Sequence, residues 1–405
     1  MKMEARIKRT PIFQSIRSCR DEILDFTKAL VAVPTENPPG TAYETCVRLL
    51  TQKLDEIDLD SKIIKVPAAG KRPRYCIVSS HGKGKKTLYF HGHYDVVPGL
   101  SERQFRPFLK DGKLFGRGSS DMKSGLAAMI YAIKALKECG DELNGRIGLT
   151  IVPDEETGGA LGSQYLDKTG LLGKDGIGML TAEPTDGMIW NANRGAISMR
   201  VTVRGKAAHV GLHYQGVNAF EKMLTVANAL LEFKRDVEKR KTTFNIEPDA
   251  ARRSILLIGG RSEGGTNFNT VPAQASFTLD RRINPEEDLN VEKRELVTLL
   301  DKLRRHGLNL GFDILQEATS SGVSEYDPVA RALAQSVQAV TGEPARFRMC
   351  PGVLEIRFYI KKGIPALAYG PGLLSVSHGP NEFVKVREIH RCAIVYALTA
   401  LKLLR

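Results

Sequence analysis

Three apolar runs in the first half of the chain each end on a histidine or on carboxylates. They are KTLYFHGHYD, RIGLTIVPDEE and GIGMLTAEP, which deliver His93, the adjacent pair Glu155 and Glu156, and Glu183. Short β-rich runs that lead into polar or Gly-rich loops read as strands. Between the first two lies DMKSGLAAMIYAIKALKEC, a helical pattern rich in Ala and Met. Ahead of them, SIRSCRDEILDFTKALVAV and AYETCVRLLTQKLDEI carry apolar residues at helical spacing. Strands alternating with helices predict an α/β domain around a largely parallel sheet. Side chains at the carboxyl ends of such strands face the crevice where α/β proteins bind ligands. The same pattern therefore constrains both the fold and the place of any chemistry.

After Asn193-Arg194-Gly195 the character changes. AISMRVTVRG alternates like a half-exposed strand, and VNAFEKMLTVANALLEFKRDVEKR follows as a long helix. SILLIGG and QASFTLDRRI read as strands, EEDLNVEKRELVTLLDKLRRHG as a helix and GFDILQEA as a strand. The order β-α-β-β-α-β is that of a ferredoxin-like sandwich. The last part, with DPVARALAQSVQAVTG, IPALAYGPG and HRCAIVYALTALKLL, returns to α/β. The expected architecture is a discontinuous α/β catalytic domain, residues 1–195 and 318–405, with an α+β domain, residues 196–317, inserted into it. A length of 405 residues suits such a division at ~100–200 residues per domain.

Composition excludes several classes. No run reaches the ~18 apolar residues of a membrane helix, and the basic N-terminus lacks the apolar core of a secretory signal. Six cysteines are scattered without a CxxC pair, which fits reduced thiols in a cytoplasm. The net charge is +13, but basic and acidic residues interleave along the predicted helices, as on solvated faces. Neither paired zinc-finger ligands nor an aromatic RNA-binding signature is visible. A cytoplasmic protein with no nucleic-acid or membrane partner is expected.

The candidate chemistry is metal binding. Asp95, two residues past His93, can accept the second imidazole N–H and so fix the tautomer; a plain His–Asp turn is the alternative. Asp121 in GRGSSDMKSG stands at a helix start, where an N-cap is the ordinary role for Asp. Glu155 and Glu156 suit one ligand plus one base, against a reading as solvated loop charges. SVSHGPNE adds His378 in a Gly/Pro/Asn loop, whereas His81, His306 and His390 sit in plain contexts. Two histidines and several strand-end carboxylates form a ligand set that zinc accepts. A carboxylate shared by two ions gives the arrangement of two-metal hydrolases.

The ordered set GHYDVVP, GRGSSDMKSG, PDEETGG, AEPT, GKAAHVGLHYQGVNA and SHGPNEFV resembles the di-zinc aminoacylase and exopeptidase family. That family includes acetylornithine deacetylase, succinyl-diaminopimelate desuccinylase, aminoacylase and the glutamate carboxypeptidases. The resemblance implies that His93 and Glu183 hold one zinc, and His378 and Glu156 the second. Asp121 would bridge them and be followed by a cis peptide bond, with Asp95 orienting His93 and Glu155 as general base. It further implies that the inserted domain is a lid carrying a dimer interface. His209 would stabilise the oxyanion in the partner's site, with Asn269 in GGTNFNTVP and Arg282 in LDRRINP binding substrate. Cobalt or manganese can also occupy sites of this kind.

One segment departs from the family. Where members commonly carry Gly-Gly-x-Asp-x-Arg, this chain has CPGVLEIRFY, with Glu355 one methylene longer than Asp and Arg357 kept. The expected activity is a metal-dependent amidohydrolase removing the acyl group from N-acyl amino acids. A carboxypeptidase or dipeptidase of the same family is the nearest alternative, and a non-catalytic binding protein is the alternative from another class.

Overall fold

A computed structural model describes residues 10–67, 72–140 and 142–405. The start of the basic N-terminal segment, residues 1–9, lies outside the described residues. The chain divides into two units. One comprises Met1–Asn191, Val323–Arg348 and Glu355–Arg405, and the other Ala192–Gly322 and Met349–Leu354.

In the first unit a sheet runs in the order Ser61–Val66, Arg74–Gly82, Arg146–Val152, Thr87–His93, Gly176–Thr181, Ala366–Ala368. The last four strands are mutually parallel, and the first two are antiparallel to their neighbours. The expected largely parallel sheet is thus corrected to a mixed one. The reason is local: residues 67–73 join the first two strands, too few for the dozen or so of a parallel crossover. All residues of the central strand Thr87–His93 are buried, and both of its edges are paired. A second correction concerns the first helix, which is two helices, Pro11–Ser18 and Arg20–Ala32, broken at Cys19 where ψ is 13°. Each half buries its own apolar residues, Ile12 and Ile16 in one and Ile23, Phe26 and Leu30 in the other.

The helix Lys123–Glu138 is buried over most of its circumference, which requires small residues where it meets the sheet. At Gly125 an added Cβ would lie 2.4 Å from the Ala182 Cβ and 2.7 Å from the Ala182 carbonyl oxygen. Gly125 sits in the helix's first turn, so the gain of Ala over Gly in a helix interior does not offset this clash. Gly125→Ala is expected to destabilise the protein by about 1–3 kcal/mol, read as a lowered denaturant midpoint. An unchanged midpoint would mean that the helix can back away from Ala182 without cost.

The second unit carries a four-stranded antiparallel sheet in the order Ile255–Gly264, Gln274–Ile283, Gly195–Arg204, Leu310–Ala318. The helices Ala219–Val237 and Leu289–Arg305 begin on side-chain caps from Asn218 and Asp288. Along Gly195–Arg204, Ile197, Met199, Val201 and Val203 alternate into the core with Leu230, Leu296 and Leu300 of the helices. This is the ferredoxin-like arrangement read from the sequence. Among the described residues Cys19, Cys46, Cys76, Cys139 and Cys392 are in no disulfide. Among the described residues no helix is long and apolar enough to cross a membrane.

Candidate active site

The strand ends of the first unit place the candidate residues. His93 is the last residue of the central strand, and Glu183 follows Gly176–Thr181 on one side of it. Glu155 and Glu156 open a short 3-10 turn just after Arg146–Val152 on the other side. Asp121 lies ahead of Lys123–Glu138, whose N-cap position is Met122, so the N-cap reading of Asp121 does not apply. The Asp121–Met122 peptide bond is cis. His378 sits on a loop with φ of 63°, a left-handed conformation that costs a non-Gly residue about 1–3 kcal/mol unless its surroundings hold it there.

These residues meet around the Asp121 carboxylate. Its Oδ1 is 3.2 Å from His93 Nε2, which is 3.9 Å from Glu183 Oε1. Its Oδ2 is 3.4 Å from His378 Nε2, which is 3.2 Å from Glu156 Oε2. Two ligand atoms on one tetrahedral zinc, at ~2.1 Å each, stand about 3.4 Å apart. His93, Asp121 and Glu183 form one cluster of that scale, and Asp121, Glu156 and His378 the other. The donor set therefore fits two ions sharing one carboxylate.

Electrostatics point the same way. Burial and the Asp121 charge push the Glu183 carboxyl up to about 8. Burial, then the charge of Glu183, holds Glu155 well above the usual carboxylate range. Burial opposes charge on Asp121 too, yet its hydrogen bonds with His378 and His93 keep it ionised. Hydrogen bonds to Asp121 and Glu156 push His378 up to about 10. Four carboxylates crowd two imidazoles, a shortage of positive charge that two dications would relieve.

The adjacent glutamates differ in surroundings. Glu156 faces His378 and accepts the Val97 N–H at 3.3 Å. The Glu155 carboxylate accepts no hydrogen bond among the described residues. Asp95 has a wider role than the sequence suggested. His93 Nδ1 lies 3.0 Å from the Asp95 carbonyl oxygen and 3.3 Å from its Oδ1. The same carboxylate accepts the backbone N–H groups of Glu155 and Glu156, both at 3.2 Å, and the Asn37 amide at 2.8 Å. Asp95 thus ties the glutamate turn to the histidine strand.

Sequence reasoning gives no role to Asn37, His91, Arg117 or Glu382. His91 is buried and pairs with Glu355 at 2.7 Å, with its other nitrogen 2.8 Å from Thr150 Oγ1. Burial works against charge on Glu355, but His91 holds its carboxyl below the usual value. The longer acid in the departing segment therefore has a buried imidazole to meet. The available signal was a polar residue inside an apolar or Gly-rich motif, which does not reveal its partner.

His209, Asn269 and Arg282 belong to the second unit. There His209 pairs with Thr270 in an isolated bridge, and Val210 N–H donates to the Asn269 carbonyl at 2.9 Å, so the two segments are neighbours. His209 is exposed, and its Nδ1 accepts from Gly211 N–H. Arg282 pairs with Asp280 through Nε at 2.6 Å and Nη2 at 3.2 Å.

A model of peptidase family M20/M25/M40 matches residues 89–402. A probable succinyl-diaminopimelate desuccinylase of Staphylococcus epidermidis is 29% identical over 388 residues, covering 88% of this chain and 91% of that one. Aminoacylase-1A of Rattus norvegicus is 28% identical over 357 residues, 82% of this chain and 83% of its own. Among solved structures, the M20 family metallo-carboxypeptidase Sso-CP2 from Sulfolobus solfataricus superposes with a TM-score of 0.77 at 20% identity, covering 94% of this chain and 99% of that one. Human carnosine dipeptidase 1 gives 0.72 at 17%, covering 96% and 98%. At these identities the structural likeness concerns the fold.

Proposed function

The chain belongs to peptidase family M20/M25/M40, and from that premise we propose that it is a di-zinc amidohydrolase removing the acyl group from N-acyl amino acids. The observation that carries this reading is the Asp121 carboxylate, whose oxygens are divided between His93 on one side and His378 on the other. The relatives named desuccinylase and aminoacylase, alike over most of their length, support an acyl amino acid as substrate. A panel of N-acyl amino acids and dipeptides, assayed with zinc and with cobalt, tests it. Faster turnover of dipeptides would move the activity to the peptidase branch.

His93, Asp121, Glu156, Glu183 and His378 would hold the ions. When bound, these polarise the scissile carbonyl and lower the pKa of the attacking water. Glu155, whose carboxylate accepts no hydrogen bond among the described residues, would take the water's proton and return it to the leaving amine. Such acid–base help contributes ~10²–10⁴-fold. Asp95 orients His93 and holds the turn that carries the base. The buried cysteines Cys46, Cys76 and Cys392, which are in no disulfide, support a cytoplasmic location.

We place a homodimer interface on the second unit. Phe220, Leu224 and Leu231 form an exposed stripe along the helix Ala219–Val237. Ile255 and Leu257 are exposed on Ile255–Gly264, the edge strand of its sheet. An open edge beside exposed apolar side chains is a surface that proteins normally cover, and a second copy of the chain would cover it. His209 would then serve the partner's site, with Asn269 beside it.

For Arg282 the role is substrate binding, since its planar fork suits a carboxylate. Arg282→Ala should raise KM about tenfold to a hundredfold for N-acyl amino acids with a free carboxylate, the scale of lost charged hydrogen bonds, and much less for the carboxamides. Equal losses on both would mean that Arg282 serves only to pair with Asp280.

A further inference from the structure

We propose that Glu382 and Arg117 are positioning residues of the metal site, a buried ion pair that fixes the bridging carboxylate Asp121 relative to His378. The inference rests on the two-metal reading and adds residues that touch neither ion.

Glu382 is 2% exposed and Arg117 1%. Glu382 Oε1 accepts three backbone N–H groups of the Asp121 loop, from Gly118 at 3.0 Å, Ser120 at 2.9 Å and Asp121 itself at 3.1 Å. Its Oε2 takes Arg117 Nη1 at 2.7 Å, and Arg117 Nη2 donates to the His378 carbonyl at 3.1 Å. One carboxylate thus organises the backbone that presents Asp121. Through one guanidinium it also holds the left-handed residue that presents the second histidine.

Secondary structure does not do this work. Residues 116–121 form turns outside any ladder or helix; the N–H groups of Gly116, Arg117 and Ser119 reach backbone carbonyls, and those of Gly118, Ser120 and Asp121 are met by the Glu382 side chain. His378 lies on a loop and is half exposed. By contrast, His93 ends a paired strand and Glu183 follows another. The two ions therefore depend on the pair unequally. Both share Asp121, but the one at His378 and Glu156 also depends on the pair for its histidine, whereas the one at His93 and Glu183 has two ligands set by the sheet. A buried ion pair contributes little to stability over an apolar substitute, and its use is directional.

The fold has other ties between the same loops. Ser120 Oγ accepts the Leu373 N–H at 2.8 Å and donates to the Leu373 carbonyl at 3.1 Å, and Gly116 N–H donates to the Glu382 carbonyl at 3.0 Å. These remain when the Glu382 side chain changes.

Two full-length variants test the proposal. Glu382→Gln keeps shape and one acceptor oxygen but turns an amide toward Arg117. Arg117→Lys keeps the cation but cannot reach Glu382 and the His378 carbonyl through two separate nitrogens. Metal-free protein would be titrated with zinc in a calorimeter and with cobalt by visible absorption, alongside thermal unfolding. Wild type should take up two ions. Both variants should bind one ion as wild type does and the other about 10–100-fold more weakly, the usual loss when a partner behind a ligand is changed, with an altered cobalt spectrum for that ion. Two ions at wild-type affinity in either folded variant would overturn the proposal. So would equal weakening of both ions in step with a lower unfolding temperature, the mark of a merely structural pair. If Glu382→Gln does not fold, Arg117→Lys decides. A wild-type chain that binds fewer than two ions would instead refute the two-metal reading, and the proposal with it.

Discussion

Replacing Glu155 by Gln should leave two metal ions bound and lower kcat by at least the ~10²-fold typical of a lost general base. The expectation follows from the contrast between neighbours. Glu156 faces His378 at 3.2 Å and belongs to a ligand cluster, whereas the Glu155 carboxylate accepts no hydrogen bond among the described residues and is pushed toward the protonated form by burial and Glu183. A group whose affinity for a proton is raised by its surroundings is suited to accept one from water. Glu156→Gln should do something different: the ion shared with His378 should loosen, and activity should recover in part at high metal concentration. Elemental analysis and steady-state rates on the same preparations separate the cases. If Glu155→Gln lost metal and Glu156→Gln did not, the two roles would be exchanged.

A mixture of two inactive variants should regain activity. His209→Ala and Glu155→Ala are each expected to be nearly inactive as homodimers. In a mixed dimer the His209→Ala chain still has Glu155 and would receive His209 from its partner, so one of its two sites is complete. Random reassortment of a two-fold dimer makes half the dimers mixed, so denaturing, mixing equal amounts and refolding should recover about a quarter of wild-type activity. Were His209 to act within its own chain, each site would lack one group and nothing would return. Confirmed mixed dimers without turnover would rule out the shared site and leave the exposed His209 and the apolar stripe at Phe220, Leu224 and Leu231 needing another account.

Parts of this molecule could be read directly from its sequence, and the reason is physical. A strand buried on both faces must be a short apolar run, so the residue where the run stops marks the strand's end. His93, Glu155, Glu156 and Glu183 stand at such places. The alternation of AISMRVTVRG likewise betrays a strand with one face in a core. Pairings distant in sequence leave no such trace. Arg117 and Glu382 are 265 residues apart, and His91 and Glu355 264, yet in each case the meaning of one residue lies in the other. The antiparallel flank of the sheet was hidden for a related reason: residues that pair edge to edge need not differ in composition from those of a parallel strand. The break at Cys19 is a change of backbone angle inside a helical pattern that continues on either side.

The most direct test is a zinc titration of the metal-free chain, followed by hydrolysis of an N-acyl amino acid. The account predicts no turnover without metal, and a rate that rises to its plateau at two ions per chain, because the base and the two clusters around Asp121 act as one site. Full turnover with a single ion, or undiminished turnover with none, would contradict it.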